Sequence, residues 1–255
     1  MRRVVFFSLF LILLGGTLMG TSLTVMTYNI RHGLGIDDVL DFSRVLETIR
    51  GVDPDILILN EVDQENPRSA GLRQAEIVAE ELNMSYFFSL AEGKSNYGNA
   101  VLSKFPIKAE FGFVLPRPEW MLAVDRGCAA IVTEVNGRDI LVMGTHLGLG
   151  GIMEVQTELR KILEVYLEYE EIPAIIAGDL NAEWYDLQYG VPEFFDHFRS
   201  VNHELDKSLH TIPADRPGKQ IDYIFVNHYF DIIDAFTVDS YASDHLPVVS
   251  RLVLK

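Results

Sequence analysis

Cysteine occurs once, at Cys128, which excludes an intramolecular disulfide and any cysteine-rich zinc site. Basic residues are scarce: 21 Lys and Arg stand against 37 Asp and Glu, a formal charge of −16. A surface this acidic repels polyphosphate chains at long range and lacks the basic footprint of a general nucleic-acid binder. It still leaves room for an acidic cleft that holds a cation. After Leu23 there is no low-complexity linker, internal repeat or charge block, so a single domain of ordinary globular composition is expected. The apolar stretch from Val4 to Met19 has 16 residues, short of the ~20 that a membrane-spanning helix needs.

That stretch follows Arg2 and Arg3 and precedes small residues at Gly20 and Ser22. A charged start, a short apolar centre and small residues read as a signal peptide or N-terminal anchor over residues 1–22. No cysteine follows, so a lipoprotein anchor is excluded. Residues 23–255 are then the catalytic domain, expected outside the cytoplasm: periplasmic, extracellular or membrane-anchored facing outward. Without the first 22 residues the balance is 19 basic to 37 acidic, or −18.

Short β-type runs recur at 23–30, 56–60, 86–89, 99–103, 107–115, 129–135, 139–145, 174–177, 221–226, 232–238 and 246–253. Three amphipathic stretches, 41–50, 72–82 and 152–170, predict helices. The last carries Leu159, Ile162, Leu163, Tyr166 and Leu167 on one face, the spacing of a helix packed on a core. Many strands with few helices predict stacked sheets covered by helices, and the absence of strict β-α-β alternation counts against a doubly wound nucleotide-binding fold.

Polar residues cluster at the ends of these runs. They are Tyr28-Asn29-Ile30-Arg31-His32, Asn60-Glu61-Val62-Asp63, Thr145-His146, Asp179-Leu180-Asn181 and Ser243-Asp244-His245, with Asp222 opening the run Tyr-Ile-Phe. Each alone has an ordinary reading as a solvated strand end, a helix N-cap, a turn residue or a structural histidine. Together they exceed what independent turns require. These residue types supply hard oxygen ligands for Mg²⁺ or Mn²⁺ and a carboxylate-oriented imidazole for proton transfer.

The ordered set TYNIRHG, LNEVD, YGNAVLSKFPI, GTHLGL, AGDLNAEW, IDYIFV and SDHLPVV, spread over residues 23–253, resembles the endonuclease/exonuclease/phosphatase superfamily, the DNase I-like phosphoesterases. Within it, NIRHG, YGNAVLS and Arg68 ahead of Gln74 resemble small bacterial metal-dependent hydrolases related to the lipid-remodelling branch of GPI-anchor processing. The resemblance implies an α/β (α+β) four-layered sandwich whose two central, mostly antiparallel sheets are flanked by helices. It implies Mg²⁺, with Mn²⁺ as substitute, held by Glu61, Asn29 and Asp244. Asp179 would orient or deprotonate the attacking water, and Asn181 would hold a phosphate oxygen. His245, backed by Asp222, would act at the phosphorus centre, and His146 would donate to the phosphoryl oxygens.

Asn99, Arg31, His32, Arg68 and Trp184 are candidate substrate contacts. Arg126 is a further candidate anion contact, Gly148, Gly150 and Gly151 a candidate substrate-side loop, and Trp120 a packing residue. The expected function is an exported phosphoesterase, acting as a monomer near a membrane on a small or lipid-linked phosphodiester. A secreted nuclease is the alternative, disfavoured by the acidic charge. A non-catalytic binding module of the same fold is the remote one, since every essential position is filled.

Overall fold

The computed structural model describes residues 20–91, 96–117 and 125–255. Most of the expected leader or anchor, and Trp120, lie outside them. The strands, in chain order, are β1 (Thr21–Asn29), β2 (Ile56–Asp63), β3 (Ser85–Leu90), β4 (Tyr97–Ser103), β5 (Ile107–Leu115), β6 (Arg126–Val135), β7 (Arg138–His146), β8 (Ala174–Asp179), β9 (Arg199–Ser200), β10 (Asp222–Val226), β11 (Phe230–Thr237) and β12 (Val248–Leu254). The helices are α1 (Phe42–Val52), α2 (Gln74–Leu82), α3 (Ile152–Leu167), α4 (Trp184–Gly190) and α5 (Val201–Glu204). All eleven expected strands and three expected helices are found. The short elements β9, α4 and α5 carry too little periodicity to announce themselves.

Two six-stranded sheets form, in the orders β11-β12-β1-β2-β4-β3 and β5-β6-β7-β8-β10-β9. Every neighbouring pair is antiparallel except one at the centre of each sheet, β1 with β2 and β7 with β8. Helix α1 connects the first parallel pair and α3 the second. Two β-α-β units therefore exist inside a largely antiparallel fold. The first sheet begins at Thr21, which pairs with Leu254, and Ser22 pairs with Val253. Strand β1 thus begins two residues before the expected boundary of 23.

Side-chain alternation builds the layers. Val25, Ile56, Ile58, Val101, Ile131, Val142 and Ile175 fill the space between the sheets. Met26, Tyr28, Leu57 and Leu59 point the other way, against Val45, Ile49 and Val78 of α1 and α2. Met143 and Ile176 meet Leu159, Ile162 and Tyr166 of α3. Helix α1 starts at Asp41, whose side chain accepts from the Ser43 N–H at 3.0 Å, and stops at the left-handed Asp53, an ordinary N-cap and C-terminal stop. No helix of the described residues is long and apolar enough to cross a membrane.

Helix α3 also buries two acids a turn apart, Glu154 and Glu158. They hold the glycine loop after β7: Glu158 accepts from Gly148 N at 2.8 Å and Glu154 from Gly150 N at 2.6 Å. A side chain at position 148 would strike the Glu154 carboxyl, which accounts for glycine there without a substrate role. One oxygen of each acid has no hydrogen-bond partner. Burial, with the Glu154 charge adding and the Gly148 N–H and Arg126 opposing, pushes Glu158 up to about 8 from its usual 4.5.

The folded chain therefore binds a proton that the unfolded chain has released, so stability falls as pH rises from about 4.5 toward 8 and levels off above. Glu158→Gln should flatten that slope and raise stability at pH 8.5 by about 1–3 kcal/mol. Thermal melts at pH 5.5 and 8.5 check this; a variant less stable than wild type at pH 8.5 contradicts it.

Candidate active site

The two parallel pairs end side by side. Strands β1 and β2 deliver Asn29, Asn60 and Glu61, and β7 and β8 deliver His146 and Asp179. Asp222, the first residue of β10, lies opposite Asp179 in the ladder. The Ser243-Asp244-His245 segment closes the group. Ser243 Oγ donates to Asn29 O at 2.7 Å, Ala214 N to Asp244 O at 2.8 Å and Leu246 N to Thr211 O at 2.7 Å.

Glu61 reaches the cleft through a β-bulge. The register of β2 on β4 slips between Leu59 and Val62, and Glu61 sits at φ 57°, a left-handed conformation that costs a non-glycine residue about 1–2 kcal/mol. Asn60 faces the other sheet by the ordinary alternation of Ile56 and Ile58, and the inserted residue then returns Val62 to the helix-side core. Three consecutive positive φ angles, at Arg31, His32 and Gly33 (42°, 44° and 88°), turn the chain sharply after β1.

Side-chain amides join the sheets. Asn60, fully buried, donates to Thr145 O at 2.9 Å and to Asn99 Oδ1 at 2.8 Å, and accepts from Asp179 N at 3.0 Å. Asn29 Nδ2 donates to Glu61 at 3.3 Å and to Asp179 Oδ2 at 3.0 Å, while its Oδ1 accepts from Arg31 N at 3.1 Å. Asn29, expected as a metal ligand, turns its NH₂ group, not its oxygen, toward Glu61. It bridges two carboxylates that would otherwise repel across the cleft.

The two histidines flank Asp179 in opposite states. His245 Nδ1 lies 2.8 Å from Asp222 Oδ2, and its Nε2 3.8 Å from Asp179 Oδ2. Burial acts to lower its pKa, but the charge and hydrogen bond of Asp222, with Asp179 and Asp244 behind, raise it to about 10. His146 places Nε2 3.4 Å from Asp179 Oδ2. Burial holds it down to about 3, with Asp179 opposing and Arg126 adding. Asn181, at φ 49°, donates its backbone N–H to Asp179 Oδ1 at 3.0 Å and its Nδ2 to Leu147 O at 2.8 Å, which leaves that NH₂ a second hydrogen.

Burial, with Asp244 and Asp179 adding and the Asn29 bond opposing, raises the Glu61 carboxyl. Only Arg31, whose Nε is 3.6 Å from Asp244 Oδ2, brings a permanent cation to these acids by ion pairing among the described residues. Asp179, Asp222 and His245 bring one ligand atom each within 4.8 Å of one another and form an acidic and histidine cluster that could hold a metal. Because Asp222 and His245 are bonded to each other, Glu61 and Asp244 are the freer oxygen donors.

The candidate substrate contacts divide. Arg31 lies beside Asp244, and His32 is half-buried with its carbonyl accepting from Gln74. The guanidinium of Arg68 forks onto buried Asp63 at 2.7 and 2.8 Å and covers the Tyr97 ring at 5.2 Å. Asn99, expected to line the cleft, is buried, accepts from Asn60 and donates to Gly127 O at 2.9 Å. Trp184 is likewise a packing residue, stacked on His203 at 3.6 Å and edge-on to Phe195, because the turn at Asn181 leads the chain straight into α4. Asn60 and Tyr97 were missed, although a polar side chain at an inward position of the apolar run Ile-Leu-Ile-Leu-Asn is a readable signal.

A model of the Endonuclease/Exonuclease/phosphatase family matches residues 26–245. The chain belongs to that family. It is a hydrolase acting on phosphoester bonds. Among solved structures it resembles an endonuclease/exonuclease/phosphatase from Beutenbergia cavernae, with 27% identity over 91% of this chain and 72% of that one, at a TM-score of 0.73. A mannosyl-6-phosphatase of Bacteroides thetaiotaomicron shares the fold at 19% identity, 91% and 100% coverage and TM-score 0.76. So does a humanized D. rerio TDP2, at 18% identity, 91% and 98% coverage and TM-score 0.72. No curated protein matches the sequence.

Replacing Asn60 by Ala removes three buried hydrogen bonds and orphans the Asp179 N–H. We expect a loss of about 2–4 kcal/mol of stability in urea unfolding, and lower activity in whatever remains folded. A loss under about 1 kcal/mol would show that the sheets do not depend on this amide.

Proposed function

We propose that the chain is an exported, divalent-metal-dependent phosphodiesterase acting on a small or lipid-linked phosphodiester. The observation that carries the reading is the arrangement about Asp179: one carboxylate between two buried imidazoles, with Glu61 and Asp244 beside it. The Arg-Arg start and apolar stretch of the first 22 residues support export. The sequence likeness to lipid-remodelling hydrolases supports a lipid-linked diester.

The donor set fits a hard divalent cation, since it is rich in carboxylate oxygen and holds no thiolate. Glu61 and Asp244 would hold it, and it would supply Lewis-acid polarisation of a phosphoryl oxygen. The residues of the chain do the rest. Asp179, acceptor-only when ionised, aligns the attacking water and takes its proton. His146 donates from Nε2 to one phosphoryl oxygen, and the second hydrogen of Asn181 Nδ2 serves another. These donors act where charge redistributes in the transition state. His245, kept protonated by Asp222, gives its Nε2 proton to the departing oxygen.

Glu61→Gln keeps the shape and removes one of the mutually repelling charges. We expect the variant to melt higher than wild type in EDTA, to gain less from added Mg²⁺ or Mn²⁺, and to lose at least roughly 100-fold in activity. Full wild-type activity in metal-free buffer sinks the metal requirement.

Substrate choice has its own test. With −16 formal charges, long-range attraction to DNA is absent, so double-stranded DNA should turn over at least roughly tenfold more slowly than a small diester, a gap of ~1.4 kcal/mol in barrier. The comparison belongs at low ionic strength, where repulsion is least screened. Efficient plasmid nicking without hydrolysis of small diesters or phospholipid vesicles selects the nuclease reading instead.

A further inference from the structure

The two histidines differ in what stands behind them. His245 is backed by a carboxylate, whereas Nδ1 of His146 lies 3.2 Å from Nη1 of Arg126 and 3.5 Å from the Tyr97 hydroxyl. Arg126 is 8% exposed at the start of β6, and Tyr97 opens β4 in the other sheet. A guanidinium carries five donors and no acceptor. The ring nitrogen that faces it must therefore present its lone pair, which leaves the imidazole proton on Nε2. That atom points to the cleft, 3.4 Å from Asp179 Oδ2.

We propose that Arg126 is a positioning residue that locks His146 in its Nε2–H tautomer, making it a fixed neutral donor and leaving proton transfer to Asp179, His245 and Asp222. This assignment rests on the phosphodiesterase reading for its catalytic meaning, but not for its geometry. It replaces the sequence-based expectation of Arg126 as an anion contact. A planar guanidinium suits the task because its donors are held in a rigid fork, so a buried Arg spends little further entropy in aiming one at Nδ1. With a carboxylate behind it, as at His245, the ring would instead carry its proton on Nδ1 and could shuttle a proton at Nε2. The arginine removes that option.

The test uses the full chain labelled with ¹⁵N-histidine, the His146 signals being assigned with His146→Gln. At pH 7, long-range ¹H–¹⁵N spectra should show an unprotonated Nδ1 and a protonated Nε2 in wild type. Arg126→Met should shift the ring to a mixed or reversed tautomer. Arg126→Lys, which retains a donor, should restore most of the wild-type pattern, and Tyr97→Phe should leave it unchanged. With bis-p-nitrophenyl phosphate as probe, Arg126→Met should lower kcat by roughly tenfold or more while KM moves less than about threefold. A protonated Nδ1 in wild type overturns the proposal whether or not the protein is active, as does an unchanged tautomer in folded Arg126→Met. A rise in KM at constant kcat returns Arg126 to direct anion binding. The predicted tautomer in a protein that hydrolyses no phosphodiester leaves this geometry standing and removes the functional reading instead.

Discussion

The molecule depends on a few amide hydrogen bonds that tie one sheet to the other at the point where both would otherwise part. Apolar packing between the sheets is non-directional and fixes a separation, not a register. Asn60 supplies the register, because its three partners, Thr145 O, Asp179 N and Asn99, come from both sheets and leave it no alternative position. Asn29 adds the functional half of the same device by giving one hydrogen to Glu61 and the other to Asp179. Every distance in the cleft inherits its value from these contacts. Asn99, placed by sequence among the substrate contacts, belongs to this framework.

The cleft is built against the preferences of the chain. Four carboxylates, at Glu61, Asp179, Asp222 and Asp244, are gathered at the strand ends, and several neighbours adopt left-handed backbone. Strain and like-charge repulsion of this kind persist only where the surrounding structure overdetermines them. The three apolar layers provide that surplus. Behind His146 the same logic continues, since the buried acids of α3 pin the glycine loop.

Much of this was legible from sequence because strands alternate with period two and the acids and histidines stand where that alternation ends. The layers and the main strands and helices follow from it, and the grouping of Asp179, Asp222, His146 and His245 was implied by the family resemblance of the motifs at those ends. The bulge at Glu61 did not announce itself: Leu-Asn-Glu-Val-Asp contains no glycine, and only the slip against β4 reveals the extra residue. The orientation of the Asn29 amide depends on Arg31 N, which the helical backbone angles of Ile30 fold back onto it at the very end of a strand. Trp184 lies three residues beyond Asn181, but the turn there sends the chain into α4, where its ring packs on His203 and Phe195.

Strand β1 also has a polarity that bears on where the enzyme works. Gly20 precedes its first residue and Asn29 is its last, with nine residues between the two poles of the sheet, roughly 30 Å at ~3.3 Å per residue. Anything tethered at Gly20 is therefore fixed to the face opposite the cleft. If the tether is a bilayer, the cleft opens outward, like a cup held by its base. A lipid-linked diester would then have to project well clear of that surface to enter the cleft, whereas a small diester would reach it by diffusion.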